Sequence, residues 1–483
     1  MEASTVRYES NILLKNLLAL CLGPLAGFMI FLITKNILTI EGSIATGTFI
    51  WVIIWWMTQV VPYAITSLLP LIVFPLTNMS TLEETLVLYA QPVFFWIASI
   101  VLLGYAFQKY ELTDSLVRIV KRNKFFLKSA KHLAFGYLAS VYLISTVISD
   151  TAVIGIMLPV GISLVNLINN KGISEIESQN VKSSFRKAIV LGTLFSAISG
   201  GMATIMGTPH NVIALSIIDK YTTVSFIDWF KIGFPISLFM LLINFVLMWN
   251  LFLKQISNVP LNIHEEEKQK STNNTNRFRG GKRATLAIFL FMIALWIIAP
   301  KNISLWEVPI IGLILLFTIP VDLKEKKFVL EWKELLDNGQ WNVAMLATGG
   351  AVLGNALSEY GVFNTILKAL PLYGLSVYFI IGLAFLVMIA LTNNFSGTAA
   401  TLIIVQSLIP VIVEKGYNPF IFGLSISILG IGVMFPWSGA AAGTTFAMSG
   451  LAIKDMFKYG LMGTALLLIT VLLLNGLYIA VYL

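Results

Sequence analysis

Two short polar clusters interrupt long apolar stretches of this 483-residue chain. One is Ser149-Asp150-Thr151, within 126–168, and the other is Ser396-Gly397-Thr398, within 363–415. Hydroxyl groups and the free N–H groups at the start of a helix donate hydrogen bonds to an anion, and the helix dipole attracts it. Two such clusters that meet would hold an anion with a charged group at each end, so the pair favours a dicarboxylate.

Two further stretches contain helix-breaking residues. The first has Gly200-Gly201 followed by Gly207-Thr208-Pro209-His210-Asn211, and the second has Pro436-Trp437-Ser438-Gly439-Ala440. Glycine and proline unwind a helix, and the carbonyl groups that lose their helical partners can coordinate a cation. Close packing of small residues explains much of the second stretch equally well, but it does not explain Gly-Thr-Pro-His-Asn.

The composition indicates that a membrane surrounds these clusters. Charged residues are 12% of the chain, apolar residues are 57%, and the mean hydropathy is +0.85. This excludes a soluble enzyme and a disordered chain, and the one cysteine, Cys21, excludes a disulfide scaffold. The net charge of +8 comes from Lys and Arg in short loops, which indicates membrane topology and no nucleic-acid partner. The sequence contains neither a nucleotide-binding P-loop nor an H-E-x-x-H metal motif.

The positions of the basic loops predict the topology. With every basic segment in the cytoplasm, the apolar runs give eleven crossings, a cytoplasmic N-terminus and an external C-terminus. The first run, 12–34, is too long for the core of a signal peptide and is predicted to be a retained helix. The stretches 126–168 and 363–415 each begin and end on one side, so they are predicted to be re-entrant hairpins. Other helices are predicted near 43–58, 60–77, 92–108, 186–219, 232–254, 284–300, 304–320, 339–357, 418–449 and 459–481.

The two halves of the chain carry related motifs. Asp228-Trp229-Phe230-Lys231 opens one late helix, and Asp455-Met456-Phe457-Lys458 opens the last one. In the predicted topology they lie on opposite sides of the membrane, so the repeats are predicted to be inverted, as in secondary transporters. We therefore expect an all-α polytopic membrane protein with inverted repeats, two re-entrant hairpins and two broken helices.

These features together resemble the divalent anion/sodium symporter family, which includes the INDY-type carriers of di- and tricarboxylates. The likeness covers nearly the whole chain. It rests on the two hairpin clusters, on Gly200-Gly201-Met202-Ala203-Thr204 with Gly207-Thr208-Pro209-His210-Asn211, and on the closing D-x-F-K-x-G helix. The resemblance implies a homodimer in the cell membrane, in which a transport domain moves against a scaffold domain as an elevator.

The resemblance also implies a division of the chain and a set of site residues. Scaffold parts would be 1–120 and 284–360, transport parts 121–256 and 361–483, and a cytoplasmic linker 257–283. The substrate carboxylates would contact Ser149, Asp150, Thr151, Ser396, Gly397 and Thr398, with Thr208, Pro209, Gly439 and Ala440 as neighbours. A first sodium site would consist of Ser145, Ser149, Asp150 and Gly207, and a second of Thr392, Phe395, Gly397 and Ser438.

The chain departs from the family pattern at both clusters. The family has a Ser-Asn-Thr motif at each cluster, and in this chain Asp150 replaces the first Asn and Gly397 replaces the second. Residues 439–442 replace a Thr-Pro-Pro-Asn motif of the family. Gly397 removes a side-chain carbonyl, which weakens the second sodium site. Asp150 has three interpretations: it strengthens a cation site, it titrates and couples protons, or a nearby group such as His210 neutralises it. An uncompensated carboxylate would repel an anionic substrate.

The favoured function is secondary-active transport of C4 and C5 dicarboxylates such as succinate, malate and 2-oxoglutarate, by exchange without sodium. The alternatives are sodium-coupled symport of di- or tricarboxylates and transport of inorganic anions such as sulfate. An intramembrane enzyme with Asp150 and His210 as an acid–base pair is disfavoured, because no nucleophile motif or metal set accompanies them. A channel is disfavoured by the broken helices. The expected partners are the anion, the lipid bilayer and a second copy of the chain, with no cofactor beyond sodium ions or protons as coupling ions.

Overall fold

A computed structural model gives the fold of the chain. It describes residues 2–90, 92–110, 112, 123, 125–165, 175–254, 279–298, 303, 306–322, 326–338, 341–362, 365, 375–394, 397–435, 438–449, 451 and 453–482. Most of these residues are helical, so the expected all-α polytopic membrane protein is confirmed. Most of the predicted linker, 257–283, lies outside the described residues, as do Phe395 and Ser396 of the second cluster.

The helices of the first half alternate between long rods and short interrupted segments. They are α1 (Glu2–Thr34), α2 (Ile40–Thr58), α3 (Tyr63–Thr66), α4 (Leu69–Leu76), α5 (Leu82–Tyr89), α6 (Pro92–Lys109), α7 (Ala130–Ser145), α8 (Asp150–Leu164), α9 (Glu175–Ala203), α10 (Pro209–Ile218) and α11 (Phe226–Met248). One turn of 3₁₀-helix, Ile205–Gly207, separates α9 from α10, and a π-helical turn, Trp249–Leu253, continues α11.

The second half has the same alternation. Its helices are α12 (Arg279–Ile298), α13 (Glu307–Thr318), α14 (Trp332–Asn338), α15 (Trp341–Glu359), α16 (Val377–Asn394), α17 (Gly397–Glu414), α18 (Pro419–Leu429), α19 (Ala440–Ser449) and α20 (Ile453–Tyr482). A small antiparallel pair of strands, β1 (Pro320–Asp322) and β2 (Lys327–Phe328), joins α13 to α14. These strands were not expected from the sequence.

Seven helical segments in the described part of the chain are long and apolar enough to cross a membrane, and several shorter apolar helices accompany them. One of the seven is Gly397–Glu414, which is one arm of the second predicted hairpin. The number of helices that are long enough to span a membrane therefore differs from the predicted eleven crossings. Helix length alone does not distinguish a full span from a hairpin arm or half of a broken helix. The eleven crossings and the re-entrant course of the hairpins stay predictions.

One predicted helix is wrong in detail. The stretch 60–77 was expected to be a single helix, but α3 ends at Thr66 and α4 begins at Leu69. Pro70 lies in the first turn of α4. Proline has no N–H and its ring clashes with the preceding turn, so it begins a helix more readily than it continues one.

The predicted interruptions are present. Thr146–Ser149 forms the turn between α7 and α8, and the first broken helix is divided at Thr204–Thr208. The second broken helix ends its first half at Leu429 and resumes at Ala440. Their positions follow from the sequence, because glycine, proline and short polar residues interrupt apolar helices at these points.

The two halves pack reciprocally. The helix after the first hairpin tip, α8, packs against α19, the second half of the second broken helix. Its counterpart α17 packs against α10, the second half of the first broken helix. Likewise, α9 contacts α7 and α11, while α18 contacts α16 and α20. Each half therefore contributes a hairpin and a broken helix to one central assembly.

Polar contacts connect this central assembly to helices of the predicted scaffold. At the end of α10, Asp219 Oδ2 accepts a hydrogen bond of 2.9 Å from Trp306 Nε1, just before α13. The neighbouring Lys220 donates to the side-chain oxygen of Asn355 on α15. Both contacts join groups that are distant in sequence, so they fix the position of α10 relative to α13 and α15.

Candidate functional site

The first hairpin tip contains a buried carboxylate. Asp150 begins α8 and is 3% exposed. Its Oδ1 accepts hydrogen bonds from the Thr151 N–H at 2.6 Å, from the Thr151 hydroxyl at 3.3 Å and from the Ser149 hydroxyl at 3.5 Å. No Lys or Arg among the described residues forms an ion pair with Asp150. A buried carboxylate that is held only by neutral donors favours a bound cation or a proton.

The first broken helix is held open by an amide. Asn211 Nδ2 donates to the carbonyl oxygens of Gly201 at 2.9 Å and Thr204 at 2.8 Å. A Cβ built at Gly207 would lie 2.5 Å from the Gly201 oxygen, so only glycine permits this approach of the two backbones. Asn211 therefore supplies partners to carbonyls that have left the helix, and it stabilises the break.

The first tip and the first break are in direct contact. The Thr204 hydroxyl donates to the Thr146 carbonyl at 2.5 Å, across the turn before α8. The Ser145 hydroxyl donates to the Ala197 carbonyl at 2.6 Å, which leaves the lone pairs of its oxygen available. The structure thus places Ser145, Ser149, Asp150 and Gly207 of the predicted first sodium site on two adjoining elements. Carboxylate, hydroxyl and carbonyl oxygens are ligands suited to a small hard cation.

A cavity of about 190 Å³ lies beside this tip. Ser149, Thr208 and Pro209, three of the predicted substrate contacts, line this cavity together with Tyr105 and Gln108 of α6. Thr208 is the N-cap residue of α10, and its hydroxyl accepts a hydrogen bond from the backbone N–H of His210 at 3.1 Å. The cavity therefore opens onto the N-terminal ends of the helices that were expected to contact the anion.

The second tip and the second break are joined by another amide. Asn393 Oδ1 accepts from the backbone N–H groups of Val433 at 3.1 Å and Met434 at 2.9 Å. The Ser438 hydroxyl donates to the Asn393 carbonyl at 3.1 Å and accepts from the Phe435 N–H at 2.9 Å. Asn393 thus has the same role in the second break that Asn211 has in the first.

The predicted second sodium site is described only in part. Thr392 and Ser438 both approach Gly432, because a Cβ built at Gly432 would meet the carbonyl oxygens of both residues. Phe395 lies outside the described residues, and Gly397 has no side chain to offer. Among the other predicted contacts, a Cβ built at Gly439 would meet no atom of the described residues within 4 Å, while Ala440 begins α19. Thr398 follows Gly397 in the first turn of α17.

The two halves meet at His210. A Cβ built at Gly397 would lie 2.9 Å from His210 Nε2 and would overlap the Gly430 carbonyl oxygen. A Cβ at Gly430 would lie 2.8 Å from His210 Cδ2 and 2.5 Å from the Thr401 hydroxyl oxygen. The imidazole of the first broken helix therefore reaches the start of α17 in the second hairpin.

Sequence reasoning assigned no role to Asn393, Thr401 or Gly430, and it quoted Asn211 only as part of a motif. A signal for Asn393 was present, because the pair Asn393-Asn394 ends an apolar helix immediately before the second polar cluster. Thr401 and Gly430 carried no such signal. Their importance depends on a contact between segments that are distant in the chain.

Comparison with known proteins identifies the family of this membrane protein. A sequence model described as "Citrate transporter" matches residues 53–426. The chain belongs to this family. It is 25% identical over 477 residues to a sodium-dependent dicarboxylate transporter of Staphylococcus saprophyticus, covering 95% of this chain and 90% of that protein. It is 24% identical over 469 residues to the sodium-dependent high-affinity dicarboxylate transporter 3 of Caenorhabditis elegans, covering 88% and 81%.

These matches confirm the resemblance to the divalent anion/sodium symporter family. The family model extends over both predicted hairpins, the first broken helix and the beginning of the second broken helix. The chain is thus an integral membrane protein of a transporter family.

Proposed function

We propose that this chain is a secondary-active transporter of small C4 and C5 dicarboxylates that exchanges one dicarboxylate for another without sodium. The observation that carries the proposal is the cavity at the first tip, where Ser149 and Thr208 face a space beside two helix N-termini. Such ends attract carboxylates through their free N–H groups and dipoles. The names of the relatives support a dicarboxylate as the substrate.

The preference for exchange rests on the second tip. Gly397 offers no side-chain oxygen to a cation, and the small residues 439–442 offer none either. A sodium-coupled symport of di- or tricarboxylates is the second candidate. It is supported by the buried Asp150 carboxylate near Ser145 and by the sodium dependence in the names of the relatives. Transport of an inorganic anion such as sulfate is a third, less favoured possibility.

An elevator movement, inverted repeats and a homodimer belong to the same proposal. The reciprocal packing of α8 with α19 and of α17 with α10 supports a repeated transport unit. The contacts of Asp219 and Lys220 with the scaffold would then be specific to one position of that unit. The termini are proposed to lie inside and outside the cell, respectively.

Uptake into proteoliposomes tests this function. Vesicles that contain the full chain are loaded with succinate or left empty, and uptake of labelled succinate, malate or 2-oxoglutarate is measured with and without sodium. Exchange predicts uptake only into loaded vesicles, at the same rate in sodium and in potassium. Sodium-dependent uptake into empty vesicles would overturn exchange in favour of symport, and inhibition by sulfate alone would favour the inorganic anion.

The variant Asp150→Asn separates the interpretations of the buried carboxylate. Asparagine keeps the shape and one acceptor oxygen but removes the charge. If Asp150 holds a coupling cation or proton, the variant changes the dependence of uptake on sodium or on pH. An unchanged dependence on both shows that Asp150 is not a coupling residue.

A further inference from the structure

The second hairpin tip has Gly397 where the first tip has Asp150. The space that a side chain at 397 would occupy is nevertheless filled by other groups. Gly397 begins α17, and the position of its missing Cβ lies 2.9 Å from His210 Nε2. The overlap with the Gly430 carbonyl excludes any residue except glycine at 397 with the present backbone. The imidazole from the first half therefore takes the place of a side chain of the second half.

The hydrogen bonds of His210 determine which ring nitrogen carries the proton. Thr208 is 1% exposed, and its hydroxyl oxygen lies 2.5 Å from His210 Nδ1. This oxygen already accepts the backbone N–H of His210, so its own hydrogen needs an acceptor, and Nδ1 is the acceptor in reach. When Nδ1 accepts, the neutral imidazole carries its hydrogen on Nε2. Nε2 makes no hydrogen bond within the described residues and points to the start of α17.

A second hydrogen-bond donor, the Thr401 hydroxyl, lies beside the imidazole and has no partner among the described residues. The Thr401 side chain is completely buried, and its hydroxyl forms no hydrogen bond with any described residue. Thr401 is one helical turn after Gly397 on α17, so the two residues share a face. The position of the missing Gly430 Cβ is within 3 Å of both Thr401 Oγ1 and His210 Cδ2, which places the hydroxyl next to the ring.

We propose that His210 Nε2–H and the Thr401 hydroxyl are donors to the second carboxylate of the substrate at the start of α17. The imidazole thereby supplies, from the first half of the chain, the polar group that Gly397 cannot supply. This inference rests on the proposed function, because it names the groups that bind one end of the dicarboxylate. It assigns His210 to recognition of the anion and not only to capping of the broken helix.

Two substitutions of His210 distinguish these roles. Glutamine carries its amide N–H₂ near the position of Nε2, whereas asparagine carries a polar group near the position of Nδ1. If Nε2 binds the substrate, His210→Ala raises the KM for succinate exchange about tenfold or more, because a hydrogen bond to a charged group is lost. His210→Gln is then expected to recover most of this affinity, while His210→Asn behaves like His210→Ala. The maximal rate changes much less than KM.

The experiment uses the full chain in succinate-loaded proteoliposomes, with labelled succinate as the probe. His132→Ala is the matched control, because His132 bonds to Ser129 at the other end of α7 from the tip. Thr401→Val tests the second donor and is expected to raise KM several-fold. Size-exclusion profiles of each variant show whether it is folded.

The outcomes distinguish a failure of the proposed function from a failure of the inference about His210. If the unmodified chain moves no dicarboxylate, the proposed function fails and the inference fails with it. If the unmodified chain is active and His210→Ala keeps its KM within twofold, the inference is overturned and the function stands. If asparagine restores affinity better than glutamine, His210 acts through Nδ1 as a cap, which also overturns the inference. If His210→Ala does not fold, the comparison of glutamine with asparagine decides in the same way.

Discussion

At the scale of single residues, a glycine can be required by its neighbours and not by its own conformation. Gly397 is such a residue, because a Cβ there overlaps the backbone carbonyl of Gly430, which cannot move as a flexible side chain does. Sequence reasoning saw only that Gly397 removes a ligand. It could not see that His210 approaches from the other half, since that contact joins segments almost 190 positions apart in the chain.

Gly397→Ala is expected to destabilise the tip and to lower succinate exchange strongly. Overpacking against a fixed carbonyl costs about 1–3 kcal/mol, and it moves the start of α17. Gly382→Ala is the matched control, because Gly382 lies in the preceding arm α16 and a Cβ there meets no atom of the described residues within 4 Å. Initial exchange rates and the yield of folded protein are compared. Normal activity of Gly397→Ala would show that the close approach to Gly430 is absent.

At the scale of elements, both broken helices are stabilised by side-chain amides. Asn211 pairs two carbonyls of the first break, and Asn393 pairs two N–H groups of the second. The sequence predicted where these helices break, because glycine and proline have strong local effects. It did not predict how the second break is held, because Asn393 lies on a different element and acts through tertiary structure. The division of 60–77 was missed, although Pro70 is a local signal for the start of a new helix.

Asn211→Ala and Asn393→Ala are each expected to lower stability. Each removes at least two hydrogen bonds to backbone groups of the break and leaves those groups without these partners, at a cost of about 1–3 kcal/mol. The apparent unfolding temperature of the purified protein in detergent should fall for both variants. Thr58→Ala serves as the control, because the exposed hydroxyl of Thr58 bonds only to the carbonyl of its own helix. Equal unfolding temperatures for all three would contradict the stabilising role of the amides.

At the scale of the whole molecule, the packing of the two halves and their sidedness depend on different physical properties. Motif spacing indicated two related halves, and the reciprocal contacts of α8 and α17 agree with that. Sidedness depends on the asymmetry of basic residues across a bilayer, a property that internal contacts do not report. The inverted orientation of the halves stays a prediction, which a labelling measurement on membranes tests.

Cysteine labelling at the two D-x-F-K motifs measures the orientation of the halves. Lys231 and Lys458 occupy the same motif position in the two halves, and both are exposed. In a Cys21→Ser background, Lys231→Cys and Lys458→Cys are introduced separately and treated with a membrane-impermeant maleimide. Inverted repeats predict labelling of Lys231→Cys on intact cells and of Lys458→Cys only after permeabilisation. Labelling of both from the same side would rule out the inverted arrangement.

The difference between the two hairpin tips has a stereochemical consequence. One tip presents an acidic side chain between two hydroxyl residues, and the other presents a glycine backed by an imidazole. A symmetrical substrate such as succinate binds equivalently in either direction, but the two carboxylates of malate become distinguishable. Such a site imposes one orientation on an unsymmetrical acid, so the carboxylate next to the hydroxyl of malate would always meet the same tip.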